Sequence, residues 1–272
     1  MKIRNKTLLI YFINSFSYIL LAFFTVFIIS RLVMAGAGLL FEIPSTLFKH
    51  ALVFSAQEED WWYDSVTTVF FSRVFTYLII GLIAYIVYLK SVPYKGYMKL
   101  YFIWVAFLSI LMLFGEVFFG NLLKEGVYHA LAWLYVSDTF RLIMIVVLLL
   151  LYLLMAILFS KGFVTSANIY FSAFNKYRLK VFFLYQLLFP YLAMLVVLTL
   201  IMLPEFPLIL MLSLYSGLIV MVIILFQTGK HAQYMKTEDE PKDLMFDSKA
   251  FLTAMFLVIF YVVLLTNGIT FT

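Results

Sequence analysis

The chain has 272 residues, of which 65% are apolar and only 12% charged. Soluble domains run near one quarter charged, so a water-soluble globule is excluded and lipid is the solvent this composition suits. The net charge of +5 comes from basic residues spread over the connections between apolar runs, and the chain has no cysteine. Nucleic-acid binding is therefore not expected, and disulfides, thiolate catalysis and thiolate metal centres are excluded.

A span needs about 20 apolar residues, and the sequence predicts an all-α, polytopic membrane bundle. About seven spans are expected, over 8–29, 66–89, 98–119, 142–159, 181–203, 208–226 and 250–265, forming one membrane domain with no soluble domain.

The first span follows Lys2, Arg4 and Lys6 and is too long for a signal peptide, whose apolar core is about 7 to 15 residues. Asn14 within it is expected to hydrogen-bond a neighbouring helix. From Arg31 to Ser65 runs a long connection. Ile43, Leu47, Phe48, Ala51 and Leu52 recur there at helical spacing around Pro44, which predicts a short interfacial helix. The acidic run Glu58, Glu59, Asp60 then adjoins Trp61, Trp62 and Tyr63, belt residues of a membrane boundary.

The second span carries Arg73, two turns from its start, and the third carries Glu116 near its end. An ionisable group at membrane depth is expensive and usually has a partner. These two spans are antiparallel neighbours, so both charges fall at the same depth and an Arg73–Glu116 ion pair is expected.

After Glu116 come Gly120, Asn121, His129, Asp138 and Arg141. The connection between the third and fourth spans is too apolar for a solvated loop. Val127, Ala130, Leu131 and Leu134 share one face of a second interfacial helix, with Trp133 and Tyr135 at its rim.

The fourth span is almost pure aliphatic and starts at a cap provided by Ser137 or Asp138. Ala167 to Phe174 is expected to lie along the surface. In the fifth span Pro190 stands four residues after Gln186, frees a backbone carbonyl and predicts a kink. Pro204 to Pro207 turn the chain into the sixth span, whose Ser213, Ser216 and Gly217 are small enough for close helix contact. Gln227 to Lys249 mixes both signs of charge and reads as water-exposed, and the seventh span is short.

Basic residues set the orientation. With the N-terminus cytoplasmic, fourteen of the nineteen Lys and Arg residues lie inside and the C-terminus lies outside. The plasma membrane is the expected location, the inner one in a Gram-negative cell. Loop lengths and Pro and Gly positions do not echo between halves, which weighs against an inverted-repeat transporter.

No zinc-protease H-E-x-x-H, Walker loop, dinucleotide fingerprint or G-x-S-x-G elbow is present, and His50, His129 and His231 all read as loop residues. No cofactor or metal is expected.

The remaining constellation is Arg31, Glu42, His50, Arg73, Glu116, Asn121, His129, Asp138 and Arg141, all on the outer half of the first four spans. It reads as structural pairing, as a ligand, ion or lipid-headgroup site, or as an acid–base or metal site. The leading expectation is a non-catalytic membrane subunit or scaffold, with membrane lipids and a partner membrane protein as contacts. Trp61, Trp62, Trp133 and Tyr135 would then form an outward aromatic and acidic partner surface. The alternatives are a carrier or lipid-handling protein with a polar cavity around Arg73 and Glu116, and an intramembrane metal-dependent enzyme.

Overall fold

In the computed structural model, which describes residues 5–91, 97–167, 176–234 and 245–272, seven helices are long and apolar enough to cross a membrane. They are α1 (Asn5–Leu39), α2 (Tyr63–Ser91), α3 (Met98–Leu123), α5 (Asp138–Ser166), the composite helix ending in α7 (Phe189–Met202), α8 (Leu208–Tyr234) and α9 (Ser248–Thr266). Short α4 (Val127–Trp133) lies between α3 and α5, and α6 (Lys176–Phe182) leads into the composite helix.

The α3 helix is central. In its most apolar stretch 72% of residues are buried, against 17% in α5, and it packs on α1, α2, α5 and α8. The difference follows from their residues. Gly115 of α3 lies so close to Ser213 of α8 that no Cβ fits between them, whereas the first half of α5 offers aliphatic bulk such as Leu142, Val146 and Leu150, all exposed to the surroundings. Small residues let helix backbones approach where lipid supplies no hydrophobic driving force. The same device recurs in α8, where Ser216 hydrogen-bonds the Tyr152 hydroxyl at 2.9 Å and Gly217 faces that of Tyr191.

Two expectations are corrected by the structure. The first span does not stop at Ile29: α1 runs to Leu39, because Leu32, Val33 and Met34 continue the apolar run beyond Arg31. The segment expected as an interfacial helix around Pro44 instead forms strands β1 (Ser45–Leu47) and β2 (Leu52–Phe54). The all-α class holds, and one small sheet is added to it. The C-terminal β3 (Ile269–Phe271) pairs antiparallel with β1, giving a small sheet of order β2, β1, β3 that caps one end of the bundle. The apolar residues of 43–52 alternate as well as they wind. Buried Ile43, Ser45 and Leu47 take the period of two once a partner strand satisfies the backbone.

The hairpin is fastened to both neighbours. Tyr261 of α9 donates to the carbonyl of Lys49, the Lys49 ammonium donates to that of Leu203 at 2.8 Å, and His50 Nε2 meets Glu205 Oε2 at 2.8 Å.

Just before Pro190, where a kink is expected, the helix carries a π-helical segment, Phe183–Leu188, between α6 and α7. Proline has no N–H to give the carbonyl of Gln186. The Ser15 hydroxyl of α1 donates to that carbonyl at 2.5 Å, while Gln186 Nε2 donates to Ser166 Oγ at 3.1 Å. Ser15→Ala should therefore lower stability by about 1–2 kcal/mol, seen as a lower melting temperature in detergent; an unchanged melting temperature would mean the bond contributes nothing.

At the opposite end, Asn14 bonds the segment before α9 rather than a helix. Its Oδ1 accepts from the N–H of Asp247 at 3.0 Å and its Nδ2 donates to the Met245 carbonyl at 3.2 Å. Asp247 in turn caps α9 through Ala250 N–H and accepts from the Tyr18 hydroxyl at 2.6 Å. The Tyr97 hydroxyl also reaches Met245, and burial raises its pKa, which keeps it a donor. Of the segment expected along the surface, Asn168 to Phe174 lie outside the described residues, as does part of the charged 227–249 stretch.

Candidate functional site

Beneath the sheet, at the capped end of the bundle, lies a cavity of about 240 Å³. Its walls come from four elements that the fold brings together: Arg31 and Met34 of α1, Phe70, Arg73 and Tyr77 of α2, Met112 and Glu116 of α3, and Ile209 and Ser213 of α8. Leu52 and Phe54 of β2 close it on the sheet side, and Glu125 and Gly126 close it from the turn after α3.

Arg73 and Glu116 form the expected ion pair, and both side chains are almost fully shielded. The turn holds the carboxylate in place. Lys124 ends α3 in the left-handed region, and Gly126 follows with φ 60° and ψ −121°, a conformation open in practice only to glycine. Gly126 packs directly on Glu116 Oε1, where a Cβ would collide with the carboxylate. Gly126→Ala should cost about 1–3 kcal/mol in backbone strain alone and also push Glu116 off Arg73. Thermal unfolding should show a loss larger than that of Glu125→Ala, and an equal, small loss would rule out this role for the turn.

Arg31 differs from Arg73. It is 7% exposed, yet its guanidinium makes no hydrogen bond and no ion pair among the described residues, and its Nε is buried without a partner. Its electrostatic neighbours are the ring of Phe27, 5.0 Å away, the hydroxyls of Tyr77 and Tyr261, and the like-charged Arg73. Arg31 and Arg73 line the same cavity, where the one buried carboxylate among the described residues, Glu116, is paired with Arg73. The exposed Glu125 at the rim is solvated and does not pair with Arg31.

A second cavity, of about 580 Å³, adjoins the first through a common wall, Phe70. The rings of Trp61, His129 and Trp133 line it together with Phe70, Val66 and Glu58. Trp61 sits edge-on to Phe54 at 5.5 Å and against Phe70 at 5.9 Å, and Phe70 lies 5.3 Å from His129.

The remaining predicted residues are not drawn into one site. His50 pairs with Glu205, Asp138 pairs with Arg141 at 3.3 Å within α5, and Arg141 covers the ring of Tyr128 at 4.9 Å. Asn121 is buried on α3, where its Nδ2 donates to the Val117 carbonyl at 2.6 Å and its Oδ1 has no partner. Glu42 is exposed, at φ 57° in the turn after α1. Of the four aromatic residues, Trp61 and Trp133 line the second cavity, with Trp133 still 42% exposed, while Trp62 and Tyr135 stand 71% and 92% exposed. Among the described residues no three His, Cys, Asp or Glu side chains converge as metal ligands; His50 pairs with Glu205, Glu116 with Arg73, and His129 lines the second cavity.

Placing Arg31 in the first connection hid its burial; the signal was the unbroken Leu32, Val33, Met34 run. The role of Gly126 and the His50–Glu205 pair were also missed, because each depends on two segments meeting in space. No protein family, no curated protein and no solved structure matches the chain.

Proposed function

We propose that this chain is a multi-pass membrane protein that binds the anionic group of a ligand in the cavity between α1, α2, α3 and α8, acting as a carrier or lipid-handling protein. One observation carries the reading: Arg31 is a buried cation that has no anion of its own among the described residues, and it faces a cavity. A charge taken out of water without a partner is penalised by several kcal/mol. A fold keeps such a group where something else supplies the counter-charge, and a phosphate or carboxylate has the bidentate geometry a guanidinium takes. The Arg73–Glu116 pair forms the rest of the polar floor, and with Glu125 exposed at the rim, Arg31 is left without a buried counter-charge among the described residues.

The distribution of Lys and Arg supports placing the sheet and this cavity at the outer face of a plasma membrane, with the N-terminus inside. Ligand then enters from the outer solution or the outer leaflet. The exposed aliphatic faces of α5 and α9 suit hydrocarbon. A role as a subunit or scaffold of a larger complex would use those faces together with Trp62 and Tyr135, and it predicts a second chain that co-purifies in mild detergent and is lost on Trp62→Ala.

The test is ligand-induced stabilisation of the full chain in maltoside micelles. Inorganic phosphate, acetate and phosphatidylglycerol are the probes. At least one should raise the melting temperature of the wild type, since a ligand at about 100 times its Kd adds about 2.7 kcal/mol, and none should do so for Arg31→Gln. Equal shifts in both proteins, or none in either, would remove the anion-binding role.

A further inference from the structure

The second cavity has a chemistry opposite to the first. The rings of Trp61, Phe70, His129 and Trp133 line this open cavity, His129 and Trp133 at its exposed edge, and Glu58 is the charged residue on its wall; no Lys or Arg lines it. Aromatic faces attract cations through their quadrupoles, most strongly for tryptophan, and alkylated ammonium groups are the ligands that ring-lined pockets recognise. A nearby carboxylate adds to that attraction. An acyl chain would fill the same volume without any use for Glu58. At about 580 Å³ the space falls within the range of small-molecule sites. Phe70 belongs to the wall of both cavities, so the cation-attracting pocket adjoins the one that holds Arg31.

We infer that the ligand is a phosphodiester bearing an organic ammonium, the headgroup of a zwitterionic phospholipid, with its phosphate at Arg31 and its ammonium among Trp61, Trp133 and Glu58. This rests on the anion-binding reading of the first cavity and adds the second half of the ligand. The two sites divide the charges of one headgroup. The phosphate meets a guanidinium that has no partner, and the ammonium meets rings and a carboxylate rather than a second cation. The source is lipid rather than a free phosphodiester because the second cavity is walled by Trp61 and Trp133, residues typical of the depth at which headgroups lie.

The experiment is native mass spectrometry of the full chain released from maltoside micelles. It is titrated with phosphatidylcholine, phosphatidylethanolamine and phosphatidic acid of identical acyl chains, with glycerophosphocholine as competitor. The wild type should retain the two ammonium-bearing lipids about tenfold better than phosphatidic acid. Trp133→Leu should bring the three lipids to parity, and Glu58→Gln, an exposed position that leaves the fold untouched, should narrow the preference in the same direction. Arg31→Gln should weaken all three.

Absence of any preference in the wild type, or a preference unchanged in both Trp133→Leu and Glu58→Gln, overturns the ammonium site. If Arg31→Gln still lowers retention in that case, the anion-binding reading survives alone; if it does not, both readings fall. Glycerophosphocholine that competes as tightly as the lipid overturns a membrane source for the headgroup.

Discussion

Glu116→Gln and Arg73→Met, made singly, should each lower the stability of the purified chain by about 3–5 kcal/mol, the range for breaking one side of a desolvated ion pair. The reason is the geometry on both sides of the pair. Glu116 is 2% exposed and Arg73 is 9% exposed, so neither is rescued by water when its partner is removed. Glu116 is further enclosed by Gly126, and Arg73 Nε is already without a partner. Removing Glu116 has the greater reach, because it leaves both Arg73 and Arg31 in one cavity with no buried anion. The double variant should recover much of the loss, since two neutral groups of similar size need no counter-charge. Melting temperatures of the two single variants and the double variant measure this coupling. Strictly additive losses would mean that the pair contributes no interaction of its own.

That pair was legible in the sequence, and the reason is general. Two charges in otherwise apolar spans, on antiparallel neighbours at matching depth, have few other partners to choose. The spans themselves were legible for a similar reason: about 20 apolar residues leave lipid as the solvent whatever the tertiary packing. Helix ends were less so. The first span ran ten residues past its expected limit because a buried arginine does not end a helix when Leu32, Val33 and Met34 follow it.

The sheet was hidden because β1 is held by β2 on one side and by β3, more than two hundred residues later, on the other. Ten residues with a mixed pattern cannot declare a strand whose partner is so distant. The two cavities were hidden in the same way. Trp61 and His129 come from different connections, and only the packing of α4 against α2 brings them to one wall.

Arg31→Met should raise stability in the absence of ligand, opposite in sign to Arg73→Met although both remove a buried guanidinium from the same cavity. Replacing buried ionic groups by apolar side chains of similar volume commonly stabilises by about 1–4 kcal/mol, because the desolvation penalty disappears with the charge. Arg73 does not follow this rule, since its removal strands Glu116. Arg31 does, since no anion is left behind. Arg31→Met gives up the contact with Phe27 at 5.0 Å and the weaker attraction of the neutral Tyr77 and Tyr261 hydroxyls, and such cation–π contacts are worth about 0.5–2 kcal/mol. The methionine side chain is unbranched and keeps contact with Met34 and the cavity wall.

A net gain of about 1–2 kcal/mol is therefore expected, read as a higher melting temperature of the ligand-free chain in maltoside micelles. A stabilising substitution in a cavity is the signature of a group kept for binding rather than for folding. A fall in melting temperature comparable to that of Arg73→Met would show that Arg31 is itself structurally paired in the folded chain, and the free positive charge on which ligand binding depends would be gone.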